Sequence, residues 1–512
     1  MNNFMNGLQN ATNFTRTENG AITHKSTNSA LLDMFAMGAA MRNRSDADCI
    51  LMFRNAFDED ATYALKCLFY IRDIRGGQGE RRFFRVIMRD LANYNTDAVL
   101  RNLEQIPTFG RWDDLFVFFG TPCGNAALEF IKTQLALDVQ CKTPSLLAKW
   151  LPSENTSSAT TRKNAAIVRK YLGMTHKQYR KTLSILRERI NVLERLMSAN
   201  KWDEIEFDKI PSRAGMIYKN AFARHDFERT VNKAVQSYAD FAKDETKTVN
   251  AKALYPYECV AEAVKAGNIS FWGRYSSVPL DDTNRLMVNK YWDNLTDYFN
   301  GASLNALAVV DTSGSMTGSA ASAPINVAIS LGIYCAEKAK GPFAGHYISF
   351  ASRPQLIKVE GVDFVDKVER IYRTNLVDNT NIEATFDLLL NTAITNKCSQ
   401  DELPENIIII SDMEFDAART GGGYYYGRND DAEHRTLMEG IEKKWNAHGY
   451  KMPNLVFWNV DARQNNIPMT AKNGISFVSG MSPSIFEQIM SGKTAADLMY
   501  EVLDGDRYSA IH

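Results

Sequence analysis

Three stretches of this sequence carry side chains that could hold a divalent cation. Residues 304–315, LNALAVVDTSGS, run apolar into Asp311 and then into a loop of small residues. Asp311, Ser313 and Ser315 fall at alternate positions, giving one carboxylate and two hydroxyls. Hard oxygen donors of low total charge suit Mg²⁺, which keeps waters and leaves room for an outside ligand. A second stretch places Thr380 just before a helix-like segment, 382–390. A third, 406–411 (NIIIIS), ends in Asp412. Taken alone, the Asp-x-Ser-x-Ser loop equally suits a turn that caps the next helix. The set is poor in carboxylates for two-metal phosphoryl chemistry, which needs several bridging ones. His346, His434 and His448 lack the spacing of a zinc or nucleophile motif. A catalytic role is therefore not expected.

These residues must be positioned by strands. Short apolar runs bounded by turns read as buried parallel strands, and open α/β sheets place their sites beyond the carboxyl ends of such strands. Candidate strands cover 304–310, 345–351, 355–360, 406–411, 454–460 and 475–478. Candidate helices cover 323–340, 382–396, 432–448, 484–490 and 494–503. The alternation predicts a doubly wound, mostly parallel sheet. The run at 355–360 follows its predecessor too closely for a helical crossover, so it is expected as an antiparallel edge strand.

Before about residue 300 strand-like alternation nearly vanishes. Phe84, Ile87, Met88 and Leu91 follow helical spacing, and Leu183, Leu186, Ile190, Leu193 and Met197 predict one long helix. Breaks at Gly76-Gly77 and at Pro107, Pro122, Pro144, Pro152, Pro211 and Pro256 suggest stacked helix pairs, a HEAT-like α-solenoid of irregular repeats. The fold class is thus α + α/β. A polar arm is expected over 1–28. A helical-repeat domain follows over 29–300, closing in a linker that contains Trp272, Pro279 and Trp292. A doubly wound α/β domain is expected over 301–512.

In order and context, Asp311, Ser313, Ser315, Thr380 and Asp412 resemble the metal-ion-dependent adhesion site of von Willebrand factor A (vWA) domains. The resemblance implies that Ser313, Ser315 and Thr380 bind Mg²⁺ or Mn²⁺ directly and that Asp311 and Asp412 act mostly through water. One position is then left for a partner's carboxylate or phosphate. The segments ALKCLFYIRDIRGGQGERRFFR (64–85), IPTFGRWDDLF (106–116), LLAKWLPSE (146–154), LMSANKWDEIEFDKIPSRAG (196–215), KNAFARHD (219–226) and SDMEFDAA (411–418) resemble a second pattern. It is that of a TROVE/vWA-type family of plants, fungi and large viruses or phages, distantly related to the Ro autoantigen. The resemblance implies a ring of helical repeats followed by a vWA domain, and an RNA-binding ribonucleoprotein component.

Across 512 residues the formal net charge is −1, so no global field marks a nucleic-acid or membrane binder and any such role needs local patches. Two such patches occur. Arg75, Arg81 and Arg82 flank Gly76-Gly77-Gln78-Gly79, with Arg72, Arg85 and Arg89 nearby. Arg162, Lys163, Arg169, Lys170, Lys177, Arg180, Lys181 and Arg187 are interleaved with aromatics that include Tyr179. Clustered cations with aromatics suit a surface that tracks single-stranded or structured RNA, and a solvated, ion-paired helix face is the plainer alternative. Tyr424, Tyr425 and Tyr426 follow three glycines after Asp412. They read as a surface insertion or as a partner contact beside the metal. Seven dispersed cysteines, no apolar run long enough to span a bilayer and a polar amino terminus predict a reducing, intracellular, cytoplasmic setting with no membrane. No small-molecule substrate is expected, and the family resemblance implies that a virus or phage is among the sources such a chain can have. The expected protein is a non-catalytic RNA binder with a Mg²⁺-dependent site for an acidic protein ligand. The alternative is a scaffold or assembly protein, viral or phage in character, that grips an acidic partner through the metal.

Overall fold

Six strands form the sheet that carries the candidate cation ligands. The computed structural model describes residues 12–231, 235–266, 282–299, 305–318, 320, 322–374, 379–417, 435–489 and 493–512. The chain divides into two units, Met1–Cys67 with Leu254–Asp506, and Leu68–Ala253 with Arg507–His512.

The first unit opens with a hairpin of β1 (Phe14–Arg16) and β2 (Ile22–His24), paired antiparallel. Its sheet contains β3 (Ala306–Asp311), β4 (His346–Phe350), β5 (Gln355–Lys358), β6 (Asn406–Ser411), β7 (Asn454–Asn459) and β8 (Ile475–Ser479), in the order β5-β4-β3-β6-β7-β8. All neighbours are parallel except β4 and β5. The segment expected as an antiparallel edge strand is one. Every residue of β3 and β6 is buried, as strands covered on both faces require. Helix Pro324–Lys338 lies so close to β3 that a Cβ on Gly332 would stand 2.5 Å from Val310 Cγ2. The chain order reverses at β3, with β4 on one side and β6 on the other. Their carboxyl ends therefore open the crevice where Asp311 and Asp412 stand.

The domain limits differ from those expected. Within the segment predicted as a polar arm, the described residues include the β1–β2 hairpin, and the next helix, Ala30–Met37, packs on β8. Ser479 Oγ donates to the Phe35 carbonyl at 2.9 Å, and Leu31, Leu32 and Phe35 are buried. The cause is that β8 is an edge strand whose residues are all buried and need a cover. The expected linker likewise supplies a helix, Asp282–Asp293, to the α/β unit. Trp292 stacks on Phe364 with centroids 3.9 Å apart, and Arg285 grips Asp363 through two bonds of 2.7 Å. Trp272 and Pro279 lie outside the described residues.

Among its described residues the second unit is helical. On Arg82–Tyr94 the spaced residues Phe84, Ile87, Met88 and Leu91 are buried. The long helix expected through 183–197 is broken: His176–Arg189 ends, Asn191 takes a left-handed φ of +49°, and Leu193–Ser198 follows. Asn tolerates that conformation better than the residues around it. The glycine loop at 76–79 serves packing. A Cβ on Gly77 would meet the Tyr70 carbonyl oxygen at 2.0 Å. Beside it Arg507 and Tyr508 both bond Asp73, which is wholly buried.

Candidate metal centre and basic groove

Asp311 ends β3 and is fully buried. Its Oδ1 accepts from Ser313 N at 2.9 Å and its Oδ2 from Ser411 Oγ at 2.5 Å. Ser313 Oγ and Ser315 Oγ are 3.1 Å apart. Asp412 follows β6 and is 2% exposed, and its Oδ1 accepts from Glu414 N at 3.1 Å. Between them Met413 holds a left-handed φ of +66°. Such strain in a buried non-glycine residue costs about 1–3 kcal/mol and gathers at functional loops. Thr380, 2% exposed, receives Asn19 Nδ2 on its Oγ1 at 3.4 Å. Asp311, Ser313 and Ser315 share one loop. The Asn19 turn, bonded to both Thr380 and Glu414, ties Thr380 to the loop that follows Asp412.

Burial, and then the neighbouring Asp412 charge, push the Asp311 carboxyl up to about 7. Burial also raises that of Asp412. Two buried carboxylates beside two adjacent hydroxyls form a set of hard oxygen donors. Asp412 Oδ2 is buried with no hydrogen-bond partner among the described residues. These residues fit Mg²⁺ or Mn²⁺. Among the described residues no group of three or more His, Cys, Asp and Glu could hold a metal. Any cation here relies on the hydroxyls.

Sequence reasoning missed three neighbours of this centre. Glu414 is fully buried, and burial followed by the Asp412 charge lifts its carboxyl to about 7. It accepts from Glu18 N at 2.6 Å and from Asn466 Nδ2 at 2.7 Å. Arg463 pairs with Glu18 and stands 3.7 Å from Asp412 Oδ2. The β1–β2 turn itself is the third. Thr17 Oγ1 donates to the Phe415 carbonyl at 2.7 Å, and Asn19 Nδ2 to that of Glu414 at 2.6 Å. A carboxylate two residues beyond Asp412 was a usable signal for Glu414, whereas the turn gave none.

The cations expected to meet RNA divide in two. Arg75, Arg81, Arg162, Lys163, Lys170, Lys177, Arg180 and Lys181 are exposed, and Arg82 is half-buried. Arg162 is held by the Thr156 and Ser157 carbonyls, and Arg75 by that of Thr108. Three expectations are corrected. Tyr179 is fully buried and donates its hydroxyl to the Pro152 carbonyl at 2.9 Å, so no ring face is open to a base. Arg187 spends its guanidinium on the Ala148 and Leu151 carbonyls, both at 2.8 Å, and on Ser153 Oγ. Arg169 pairs with Glu154 at 2.9 Å. In the first patch, Arg72 and Arg85 neutralise Asp114 and Asp113 inside the fold. Tyr424, Tyr425 and Tyr426 lie outside the described residues, as does His434.

A groove of about 870 Å³ opens in the helical unit, with Lys149, Trp150, Arg180, Arg195, Arg213 and Tyr218 among its lining residues. Glu154 and Glu194 are its acidic members. The Arg111 guanidinium lies 4.1 Å from the Trp150 ring centroid. A recess of about 340 Å³ shares Trp150, Pro152 and Thr161 with this groove. Of the predicted RNA contacts only Tyr179, Arg180 and Arg187 line it.

The profile of the family described as Domain of unknown function (DUF2828) matches residues 17–119 and 134–301, more than half of the chain. The chain belongs to the DUF2828 family. The chain is similar to "Uncharacterized protein L728" of Acanthamoeba polyphaga mimivirus, 30% identical over 520 residues, covering 94% of this chain and 85% of that protein. The profile of a second Domain of unknown function, DUF7788, matches 305–507, which holds all five candidate cation ligands. The chain is also similar to the crystal structure of the Deinococcus radiodurans RO (RSR) protein. That likeness has 13% identity and a TM-score of 0.40, covering 94% of this chain and all of that one. Among the described residues no helix is long and apolar enough to cross a membrane.

Proposed function

We propose that this protein is a non-catalytic RNA-binding protein. In this reading its helical unit holds single-stranded RNA, and its α/β unit holds Mg²⁺ or Mn²⁺ and through it an acidic protein ligand. The observation that carries the RNA reading is the groove around Trp150. Cations outnumber acids along it, and it offers indole and phenol rings between them. Phosphates pair with such cations at the gain of released counterions, and bases stack on such rings without regard to sequence. The groove replaces the Tyr179 face as the aromatic surface, because Tyr179 is spent on packing. The metal reading rests on the buried Asp311 and Asp412 carboxylates and on Asp412 Oδ2, which accepts no hydrogen bond among the described residues. A bound cation there supplies charge that binds and orients an anion. The paired hydroxyls of Ser313 and Ser315 add no charge of their own and leave the ion electrophilic.

Fluorescence anisotropy of a labelled oligouridylate with the full chain tests the RNA reading. Binding at low salt that weakens steeply as salt rises is expected. No binding at low salt overturns it in favour of the scaffold reading, in which the metal's acidic partner is the sole ligand.

A further inference from the structure

The β1–β2 turn brings an acidic side chain of the chain itself to the metal centre. Gly20, with a φ of +91°, closes the turn, and Thr17 N bonds the Ala21 carbonyl across it. The turn is fixed on the far side as well. Thr17, Glu18 and Asn19 each bond residues of the loop that follows Asp412, and Ala417 N returns a bond to the Asn19 carbonyl at 3.1 Å. With its backbone so held, Glu18 presents its carboxylate to Arg463, and the two form an ion pair about one-third exposed. Arg463 also stands 3.7 Å from Asp412 Oδ2, the buried oxygen that has no hydrogen-bond partner among the described residues. One guanidinium thus faces both the cation site and a carboxylate supplied in cis.

We propose that Arg463 is the second anchor for an acidic ligand of the metal centre, and that Glu18 occupies that anchor until the ligand arrives. The inference rests on the metal reading above and adds the ligand's second contact and its built-in competitor. The chemistry favours a carboxylate. A guanidinium fork takes two oxygens side by side, and a carboxylate held by a cation and a guanidinium has both charges neutralised in one place. Glu18 offers the same group as the ligand, so exchange at Arg463 swaps one carboxylate for another and costs little. The pair is about one-third exposed, so water competes for both partners and weakens it.

The probe is acetate, titrated against Mn²⁺-loaded full-length protein and followed by water proton relaxation, which reads water displaced from the bound ion. Glu18→Gln keeps the backbone bond to Glu414 and should tighten acetate about two- to five-fold, the strength of an exposed ion pair. Arg463→Gln should weaken acetate while strengthening Mn²⁺ itself, because it removes a positive charge beside Asp412. The double variant should match Arg463→Gln alone. Mn²⁺ bound normally with acetate affinity unchanged in Glu18→Gln overturns this proposal and leaves the metal reading standing. Loss of both Mn²⁺ and acetate in Arg463→Gln overturns it too, since the residue then only supports the fold. Failure of the wild type to take up Mn²⁺ overturns both readings.

Discussion

Asp311 and Asp412 stand at the carboxyl ends of adjacent parallel strands, both buried, and burial together with the Asp412 charge burdens the ionisation of Asp311. A divalent cation offsets the cost of burying both carboxylates, and a ligand that binds only the folded state stabilises it by mass action. Millimolar Mg²⁺ or Mn²⁺ should therefore raise the melting temperature. At 100 times the dissociation constant the gain is about 2.7 kcal/mol. Asp311→Ala should melt at one temperature with or without the ion. A wild type insensitive to both ions and to chelator contradicts an occupied site.

Asp311 and its buried neighbour Glu414 fix a pH dependence. In the unfolded chain Asp311 and Glu414 titrate near ordinary carboxylate values, and in the fold burial moves both to about 7. Between about pH 4 and 7 the folded, metal-free protein therefore holds more protons than the unfolded chain. Stability from these groups is full below the lower value and is lost as pH rises through the upper one. Chelator-treated protein should become easier to unfold by urea from pH 5 to 8, and Asp311→Asn should flatten that trend. A wild-type stability that climbs steadily over the same range counts against it.

Buried parallel strands read as unbroken apolar runs, so β3 and β6 were legible, and with them Asp311 and Asp412. The edge strand β5 was legible from the short connection before it. The hairpin was not. Its turn is polar, and most of its bonds run to backbone carbonyls and side chains some 400 positions away, as with Thr17 and Phe415. Helices 30–37 and 282–293 carry ordinary amphipathic patterns, which say that a face is buried but not against which element. Tyr179 was readable and misread. It precedes Leu183 by four positions and Leu186 by seven, which places it on the same apolar stripe. The groove residues Lys149, Arg195 and Arg213 come from separate helices, and only folding brings them to one concavity.

The carboxy-terminal residues hold the helical unit together. Tyr508 is 2% exposed, stacks on Phe109 with centroids 5.5 Å apart and donates to Asp73 at 3.1 Å. Truncating a buried aromatic removes transfer energy and leaves a cavity, so Tyr508→Ala should cost about 3–5 kcal/mol in chemical denaturation. Tyr508→Phe keeps the ring and loses one hydrogen bond, for about 0.5–1.5 kcal/mol. Equal losses in the two variants contradict a packing role.

Arg187 should separate structure from binding. Its guanidinium holds the Ala148 and Leu151 carbonyls and Ser153, and no apolar side chain replaces those donors. Arg187→Met should destabilise by about 1–3 kcal/mol, the usual cost of leaving a buried polar group unmet. RNA affinity of the folded fraction should stay within about two-fold, because the cation is already spent, whereas a phosphate contact gives a salt slope near −0.7 per strand phosphate. A large affinity loss with unchanged stability returns Arg187 to the RNA surface.

The groove predicts how RNA affinity divides between charge and stacking. Lys149, Arg180 and Arg213 line it from three segments, so their removal should cut counterion release while leaving the rings in place. Each phosphate contact on a single strand contributes roughly 0.7 to the slope of log affinity against log salt. The triple Ala variant should therefore flatten the slope by up to about two units. Trp150→Ala should weaken binding by roughly 1–3 kcal/mol at every salt concentration and leave the slope unchanged. Lys177 and Lys181 are exposed but outside the groove lining, so their Ala variants separate a groove from a diffuse basic face. If those two flatten the slope as much as the groove residues do, RNA follows the outer face of helix His176–Arg189 and the groove is not its path. A slope that falls only in the groove variant, together with a salt-independent loss in Trp150→Ala, places phosphates and bases in the one concavity.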